Sequence, residues 1–457
     1  MPSLRSLTDR RLRPAQVLVL AFATAILAGT ALLLTPWAAT GASLSFIDAL
    51  FTATSATCVT GLVVVDTGTA LTGFGQGVVL ALVQLGGLGI MTYSSLILVV
   101  LGQKLSFRGE SLLVDTLGRK GAVSPRQLVR QVFVFTLGVE LIGALLLTTA
   151  FAGTHSVGES VILGVFHSVS AFCNAGFSLF SDSLMGYRAD PWVNGVVMTL
   201  IVLGGLGFVV LADLTDGARR AARGERFRVR LHTKVVLVYS VGLVVLGSAA
   251  FYLFEAHNSL AALPWGERLL ASLFQAVTPR TAGFNTLDYG TLRDATLFLT
   301  IVLMFIGASP GSCGGGIKTT SLAVVVALFR NRMRGNPHVT LFRRTIPEAV
   351  VSRSVAIFVV SFVLASALAF LLLLTEVVPQ PHRGEQAVFL DLLFETVSAY
   401  GTVGLSTGVT TRLSGWGKAI LVGAMFAGRL GPLTLAMAVG RTPPRHTRYA
   451  EEDLIVG

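Results

Sequence analysis

The stretch Phe51-Thr-Ala-Thr-Ser-Ala-Thr-Cys-Val-Thr-Gly-Leu62 decides the fold, because it comes back three times. The later copies read FHSVSAFCNAGF (Phe166–Phe177), FQAVTPRTAGF (Phe274–Phe284) and FETVSAYGTVGL (Phe394–Leu405). Each opens on Phe, carries Ser or Thr near its middle and closes on Gly followed by Leu or Phe; the third is one residue shorter. The closing glycines, Gly61, Gly176, Gly283 and Gly404, are 115, 107 and 121 residues apart. Self-similarity of this kind marks a repeated architecture. Each copy ends a mildly apolar segment, roughly 44–56, 159–172, 265–278 and 384–399. These are too short to cross a bilayer, which takes about 20 apolar residues. A re-entrant half-helix fits that length, and the irregular backbone after it must be buried in protein or line water.

Longer apolar segments flank the half-helices: about 15–35, 71–101, 129–152, 191–213, 232–254, 292–328, 350–375 and 414–439. The first follows Arg10, Arg11 and Arg13, as a signal peptide would. Its apolar run is long and no small-residue cleavage site follows, so it is read as a span. The composition agrees: of 457 residues, 53% are hydrophobic and 13% charged, against about 25% charged in a soluble domain. This excludes a disordered chain or a coiled coil and disfavours a soluble enzyme. Three cysteines with no C-x-x-C pair indicate neither a disulfide framework nor a zinc site.

The expected fold is therefore an all-α integral membrane protein. Four pseudo-repeated units of span, pore half-helix and span (M1–P–M2) surround one central pore, with eight transmembrane helices and four re-entrant half-helices. The units cover 15–101, 129–215, 232–328 and 350–439, joined by loops 102–128, 216–231 and 329–349, between an N-terminus 1–14 and a tail 440–457.

The formal net charge of +11 has a spatial pattern. Most of the 35 Lys and Arg fall in the N-terminus, the three loops and the tail. The opposite side holds only Arg188, Arg268, Arg280, Arg293, Arg383, Arg412 and Lys418. The positive-inside rule puts both termini and the basic loops in the cytoplasm and the half-helices on the outer side. The basic surplus is an orientation signal with the anionic lipid bilayer as its partner, and no nucleic acid is expected.

Four half-helices entering from outside point their C-terminal ends inward. Each end carries roughly half a negative charge, so together they favour a cation. Glycine lets loop carbonyls line a narrow path, as in potassium channel filters. The expected filter is Thr57, Cys58, Val59, Thr60 and Gly61; Cys173, Asn174, Ala175 and Gly176; Thr281, Ala282 and Gly283; and Gly401, Thr402, Val403 and Gly404. Its metal is K+ on filter carbonyls, as cargo, with no covalent cofactor.

The second span of the third unit reads Met304-Phe-Ile-Gly-Ala-Ser-Pro-Gly-Ser-Cys-Gly-Gly-Gly-Ile-Lys-Thr-Thr320. Proline and glycine should break it. A loop under the filter is expected, built on Gly307, Gly311, Gly314, Gly315, Gly316 and Lys318, where a flexible plug would gate conduction. It is not a P-loop, since Ile317 separates Gly316 from Lys318 and no strand precedes it. Arg429, within Ala427-Gly-Arg-Leu-Gly-Pro432, costs about 2.5–3.5 kcal/mol at mid-span. It is read as an electrostatic barrier or plug anchor, or as a packing anchor. Glu140, also within a span, is read as a packed polar partner or an ion ligand. Arg280 beside an ion path should turn outward or pair with an acid such as Glu267 or Asp288. Cys58, Cys173 and Cys313 read as small fillers. Gly86-Gly87-Leu88-Gly89, Gly204-Gly205-Leu206-Gly207, Gly307 and Gly428 recur at matching depth and suggest close helix packing. His155, His167, His232 and His257 form no H-E-x-x-H, and an enzyme is not expected.

Taken together, SATCVTGLVVVDTG, TPRTAGFNT, GASPGSCGGGIKTT and GRLGPLTL resemble the Trk/Ktr/HKT superfamily of potassium transporters, over about residues 15–439. Trk subunits commonly carry an extra N-terminal span pair; this sequence is read as beginning directly with the first unit, so it looks most like the bacterial Ktr membrane subunits. The resemblance implies a filter at the four glycines, a gate at Gly307–Lys318, and gating help from Arg429. It implies a homodimer in the bacterial cytoplasmic (inner) membrane, on a cytosolic RCK-type nucleotide-binding ring (KtrA-like), with Na+ as a candidate activator of K+ uptake. A tightly coupled Na+/K+ symporter and a Trk-type H+-linked transporter are the alternatives. The shorter third copy, with Pro279 and Arg280, departs from the other filter strings.

Overall fold

The computed structural model describes residues 14–105, 125–376, 386–431 and 434. The expected N-terminus 1–14 (but for Pro14), most of the 102–128 loop, the tail 440–457 and nearly all of the last span beyond Gly431 lie outside the described residues.

The described chain is mostly helical. It begins with α1 (Pro14–Leu33), α2 (Phe46–Thr57) and α3 (Gly73–Leu105). There follow α4 (Pro125–Phe151), α5 (Val157–Phe172), α6 (Pro191–Leu206), α7 (Phe208–Ala222), α8 (Leu231–Glu255) and α9 (Trp265–Val277). The last are α10 (Asp294–Phe305), α11 (Thr319–Met333), α12 (Glu348–Glu376), α13 (Gln386–Gly401) and α14 (Gly415–Leu430). A two-stranded antiparallel hairpin, β1 (Thr340–Leu341) and β2 (Arg344–Thr345), joins α11 to α12.

The four short helices α2, α5, α9 and α13 stand where the half-helices were expected, within two residues at each end. Local sequence explains the starts of two. Ser45 accepts from Asp48 N at the head of α2, and Ser156 with Glu159 forms a capping box at α5. Such caps contribute about 1 kcal/mol each.

Five helices are long and apolar enough to cross a membrane, among the described residues: Ala15–Leu33, Gly73–Tyr93, Gln127–Phe151, Leu231–Glu255 and Glu348–Glu376. Their outer faces carry exposed Leu141, Leu145, Leu246, Leu253, Phe362 and Phe370, an arrangement that suits hydrocarbon rather than water. The segment 191–213 departs from expectation. It is not one span but α6 and α7, bent by 103°. The break is at Gly207, whose φ of +88° is costly for a residue with a Cβ. The segment 292–328 is interrupted as expected, by residues 306–318 between α10 and α11.

The core is organised cyclically. Around α1–α3, one hydrophobic cluster takes in Phe166, Ala175 and Phe177 from the α5 region. The cluster around α4–α6 takes in Phe274, Ala282 and Phe284 from the α9 region. The cluster around α8–α10 takes in Phe394, Val403 and Leu405, and the one around α12–α14 takes in Phe51, Cys58 and Leu62. Each short helix is thus buried in its predecessor's core, and the last cluster returns to the first.

Candidate functional site

The loops after the short helices meet at one place. Gly61, Gly176, Gly283 and Gly404 have φ values of +90°, +69°, +81° and +94°. A Cβ on Gly61 would run into Ala175 O, and one on Gly176 would lie 2.7 Å from Ala282 O. One on Gly283 would lie 2.5 Å from Val403 O, and one on Gly404 would run into Thr60 O. The four glycines therefore form a closed ring in chain order, each leaning on the carbonyl that precedes the next.

Two residues before each glycine the backbone is again left-handed: Val59 (φ 55°), Asn174 (59°), Thr281 (71°) and Thr402 (50°). A backbone that alternates in this way turns successive peptide groups to a common side. The N–H groups face back into the protein. Thr60 N bonds Ser55 O, Ala175 N bonds Ser170 O, Ala282 N bonds Thr278 O and Val403 N bonds Ser398 O. The side chains of Cys58, Val59, Thr60, Cys173, Asn174, Ala175, Thr281, Ala282, Thr402 and Val403 are buried. Among the described residues, no protein donor reaches the carbonyl oxygens of 58–61, 173–176, 281–283 and 401–404. Unpaired backbone carbonyls are costly when dry, so a set of them converging on one ring is suited to a cation. Four helix C-termini behind them add to the negative potential.

A hydroxyl holds each loop to its own short helix. Ser55 Oγ donates to Leu62 O and Ser170 Oγ to Phe177 O, both at 2.7 Å. Thr278 Oγ1 donates to Phe284 O, and Ser398 Oγ accepts from Gly404 N at 3.1 Å. This is what the Ser or Thr in the middle of each string does. In three of the four strings a second bracket lies one residue past the opening Phe, a position with no assigned role in the sequence reading. His167 Nε2 sits 2.9 Å from Ser178 Oγ, and Gln275 Nε2 3.3 Å from Thr286 Oγ1. Glu395 accepts from Ser406, Thr407 N and Thr410. The signal was a polar residue immediately after Phe (His167, Gln275 and Glu395); Thr52, at the same place in the first string, is buried but its hydroxyl bonds no partner among the described residues.

Most of the recurring span glycines are close-packing points, although nothing lies within 4 Å of the Cβ position of Gly89. A Cβ on Gly86, Gly204 or Gly428 would strike Thr57 O, Phe172 O or Tyr400 O, the carbonyl at the end of its own short helix. Gly307 differs, and faces Gly315 O of the 306–318 loop.

That loop lies directly against the ring loops. Gly314 abuts the Thr281 side chain, and Gly315 abuts Thr402 with Gly401 O 3.3 Å from its Cβ position. A parallel bridge between Ile306 and Ile317 closes its base, and Gly311 and Gly316 turn with φ of +79° and +65°. The break at Gly207 receives it. Ser309 N and Cys313 N donate to Gly205 O and Gly204 O at 3.1 and 3.2 Å, while Phe208 N donates to Gly311 O at 3.0 Å. The orphan groups of two helix ends are thereby satisfied. Lys318 Nζ donates to Gly314 O and, at 3.4 Å, to Gly315 O. Arg429, 3% exposed, donates to Cys313 O and, at 2.8 Å, to Gly86 O. It joins α14, the loop and α3.

Two sequence readings resolve differently. Glu140 packs with polar partners, Gln84 Nε2 at 2.9 Å and Cys173 Sγ at 3.7 Å. Arg280 does not pair with Glu267 or Asp288, which instead meet Arg188 at 3.9 Å and Gly290 N at 2.9 Å. It lines a cavity of about 20 Å³ with Ile201, Gly205, Val277 and Ala308. Outside the spans, Asp66 closes the loop after Gly61. Partial burial pushes its carboxyl up, but hydrogen bonds from Ser181 and from Thr69 N and Gly68 N outweigh this and hold it below the usual carboxylate value.

Comparison with known proteins agrees with this geometry. The family described as TrkH, cation transport protein, matches residues 5–445. The Ktr system potassium uptake protein B of Bacillus subtilis is 40% identical over 450 residues, spanning 98% of this chain and 97% of its own. The potassium/sodium uptake protein NtpJ of Enterococcus hirae is 34% identical over 463 residues, spanning 100% of both. The crystal structure of the potassium transporter TrkH from Vibrio parahaemolyticus superposes with a TM-score of 0.73 at 19% identity, covering 95% of this chain and 86% of the other.

Proposed function

This chain belongs to the TrkH family of cation transport proteins, and from that premise we propose that the glycine ring is the potassium selectivity filter of a Ktr-like uptake system. The family is one of transporters rather than enzymes, and the chain is the potassium uptake membrane subunit. The single observation that carries the filter reading is the closed ring of left-handed glycines whose neighbouring carbonyls lack protein donors.

In this account K+ exchanges its water for the carbonyls of residues 58–61, 173–176, 281–283 and 401–404. It moves down an inside-negative potential worth about 2.3 kcal/mol per charge per 100 mV. The four hydroxyl clamps hold the loops against collapse when the ion leaves. The loop at Gly307–Lys318 is the gate, shut here because Arg429 and Lys318 hold its carbonyls beneath Thr281 and Thr402. Eight spans result if α6 with α7, and α10 with α11, each count as one broken span and α14 continues past Gly431. The four units then run 15–101, 129–215, 232–328 and 350–439. The basic loops favour an inner-membrane orientation with both termini in the cytoplasm.

The relatives' naming as components of a Ktr system supports a partner subunit, for which a cytosolic RCK-type ring under a homodimer is the proposed form. The potassium/sodium naming of the Enterococcus hirae relative supports Na+ as an activator, and it is also what keeps tightly coupled Na+/K+ symport as a second reading. Rubidium and sodium uptake in proteoliposomes, with and without the soluble partner, tests the proposal. Saturable rubidium flux without stoichiometric sodium entry is expected. Obligatory sodium co-entry would replace uniport by symport, and absence of rubidium flux would overturn the reading.

A further inference from the structure

Thr57 ends α2, and the repeat marks its place as unusual. The carbonyls of Thr57, Phe172 and Tyr400 each sit against a glycine of their own unit, at Gly86, Gly204 and Gly428. In the second and fourth units that place carries an aromatic ring, and both rings are buried. Phe172 shares a hydrophobic cluster with Val132 of α4 and Ile201 of α6, so its ring fills the space between those helices. The first unit has a threonine instead, and a groove between α1 and α3 opens beside it. The inner part, about 500 Å³, is lined by Ala21, Ala25, Leu85, Gly89 and Tyr93, with the buried Thr57 and Gly86 as its floor. At Ala25 and Leu85 it joins a second hollow of about 510 Å³ that runs past Ala28 and Gly77 to Leu32.

Small residues in a membrane helix usually let a neighbour approach closely. Here some do not, since nothing lies within 4 Å of the Cβ positions of Gly77 and Gly89. Both α1 and α3 are long and apolar enough to span. The rim of the groove exposes Val17, Leu32, Phe74 and Leu85, so hydrocarbon is its solvent. Gly86 lies about 20 Å along α3 from Gly73, at 1.5 Å per residue, well inside a hydrocarbon layer of about 30 Å. A lipid headgroup does not reach that depth. Yet Thr57, 1% exposed, has an Oγ1 that bonds no partner among the described residues, and an unpaired buried hydroxyl is costly. A plain hydrocarbon chain gains nothing by leaving the bilayer for an apolar groove. An occupant that does gain must bring a polar atom to Thr57 while staying soluble in lipid.

We propose that the groove between α1 and α3 binds a lipid-soluble phenol. The phenol ring takes the place that Phe172 and Tyr400 fill in their own units, its hydroxyl bonds Thr57 Oγ1, and its alkyl tail lies along the groove toward Leu32. Binding is non-covalent and the phenol stays neutral. Occupancy also bears on conduction. Thr57 leads directly into the ring loop 58–61, and Gly86 O accepts from Arg429, which also holds Cys313 O. A filled groove braces α3 against α2 and keeps that latch closed, which lowers flux. This last step rests on the 306–318 loop being the gate.

The test uses the full chain in proteoliposomes, with 4-heptylphenol as the probe and heptylbenzene as its match without the hydroxyl. A 4-alkylphenol carrying a diazirine in its tail is the photolabel. Mass spectrometry maps the adducts, and rubidium uptake reads the consequence. Adducts are expected on α1 and α3 along the groove. The phenol should displace them at about tenfold lower concentration than heptylbenzene, the worth of one hydrogen bond, and should lower uptake. Thr57→Val should remove that tenfold difference, with its uptake read against its own phenol-free rate. Ala25→Phe should fill the groove from α1, abolishing both the labelling and the effect of the phenol while phenol-free uptake stays as in wild type. Ala21→Phe replaces it if Ala25→Phe does not fold. Adducts spread over the lipid-facing helices without displacement, equal competition by heptylbenzene, or undiminished labelling in the filled groove would each overturn the site. Displaceable labelling in the groove with uptake unchanged by the phenol keeps the site and overturns its hold on the gate. Labelling is independent of uptake, so a chain that carries no rubidium would overturn the transport reading and leave the site standing.

Discussion

Gly283→Ser puts the ring under a defined load. The backbone there has φ of +81°, which costs an L-residue roughly 1–2 kcal/mol. The new Cβ would lie 2.5 Å from Val403 O, 3.1 Å from the Gly176 Cα and 3.3 Å from the Gly404 Cα. Reaching an ordinary contact of ~3.5 Å requires a shift of about 1 Å, and Val403 O is one of the proposed ion-facing carbonyls. If that displacement removes about 1.4 kcal/mol of preference for the larger ion, the K+/Na+ ratio falls about tenfold. Gly408→Ser separates strain from contact. Its φ is +91°, but nothing lies within 4 Å of its Cβ position. Both variants should lose thermal stability, and only Gly283→Ser should lose selectivity. Proteoliposomes with opposed Rb+ and Na+ gradients provide the ratio, and thermal aggregation in detergent provides the stability. An unchanged ratio in a well-folded Gly283→Ser protein, or an equal fall in Gly408→Ser, would refute the reasoning.

Arg429→Ala removes two charge-assisted hydrogen bonds onto Cys313 O and Gly86 O, worth about 1.5–3 kcal/mol each; rubidium flux should rise, and a silent phenotype would reduce the arginine to a packing role. Deleting part of 311–316 should likewise raise flux, and low flux in a folded deletion protein would argue against a plug. Ser55→Ala leaves Gly61 N and Leu62 O without their 3.1 and 2.7 Å partners, a loss of about 1–3 kcal/mol for buried groups; ion-dependent thermal stabilisation should weaken, and full retention would show that the clamp is dispensable. Because the Asp66 carboxyl is held below its ordinary value, its stabilisation is present above the unfolded value of ~3.9 and lost only as pH falls through the lowered one. Asp66→Asn should therefore cost the same from pH 5 to 8, and a cost that grows or fades across that window would contradict the assignment.

The ring was legible because glycine is nearly obligatory where φ is positive and a neighbouring carbonyl sits against the Cα. Four matched strings therefore exposed Gly61, Gly176, Gly283 and Gly404 directly. The clamps were half legible. The Ser or Thr was visible, but its partner, seven residues on in the first two copies and six in the last two, depends on how the loop doubles back. The break at Gly207 was not legible, and the reason is instructive. Gly-Gly-Leu-Gly occurs at 86–89 and at 204–207, yet α3 runs straight through the first and α6 ends at the second. Nothing approaches Gly89, whereas Pro310 O stands 2.5 Å from the Cβ position of Gly207 and Gly311 O takes the Phe208 N–H. Tertiary contact with the inserted loop, not local propensity, ends that helix. The expected pairing of Arg280 failed for a similar reason, since a charge count assigns a side of the membrane but not the direction of a side chain.

The central claim is that the ring of four glycines holds the transported ion. Anomalous diffraction from crystals grown in rubidium tests it most directly. The account calls for an anomalous peak on the axis of Gly61, Gly176, Gly283 and Gly404, bounded by their carbonyls and diminished when sodium replaces rubidium. A ring without rubidium, with the peak instead beside Glu140 or elsewhere in the protein, would contradict it.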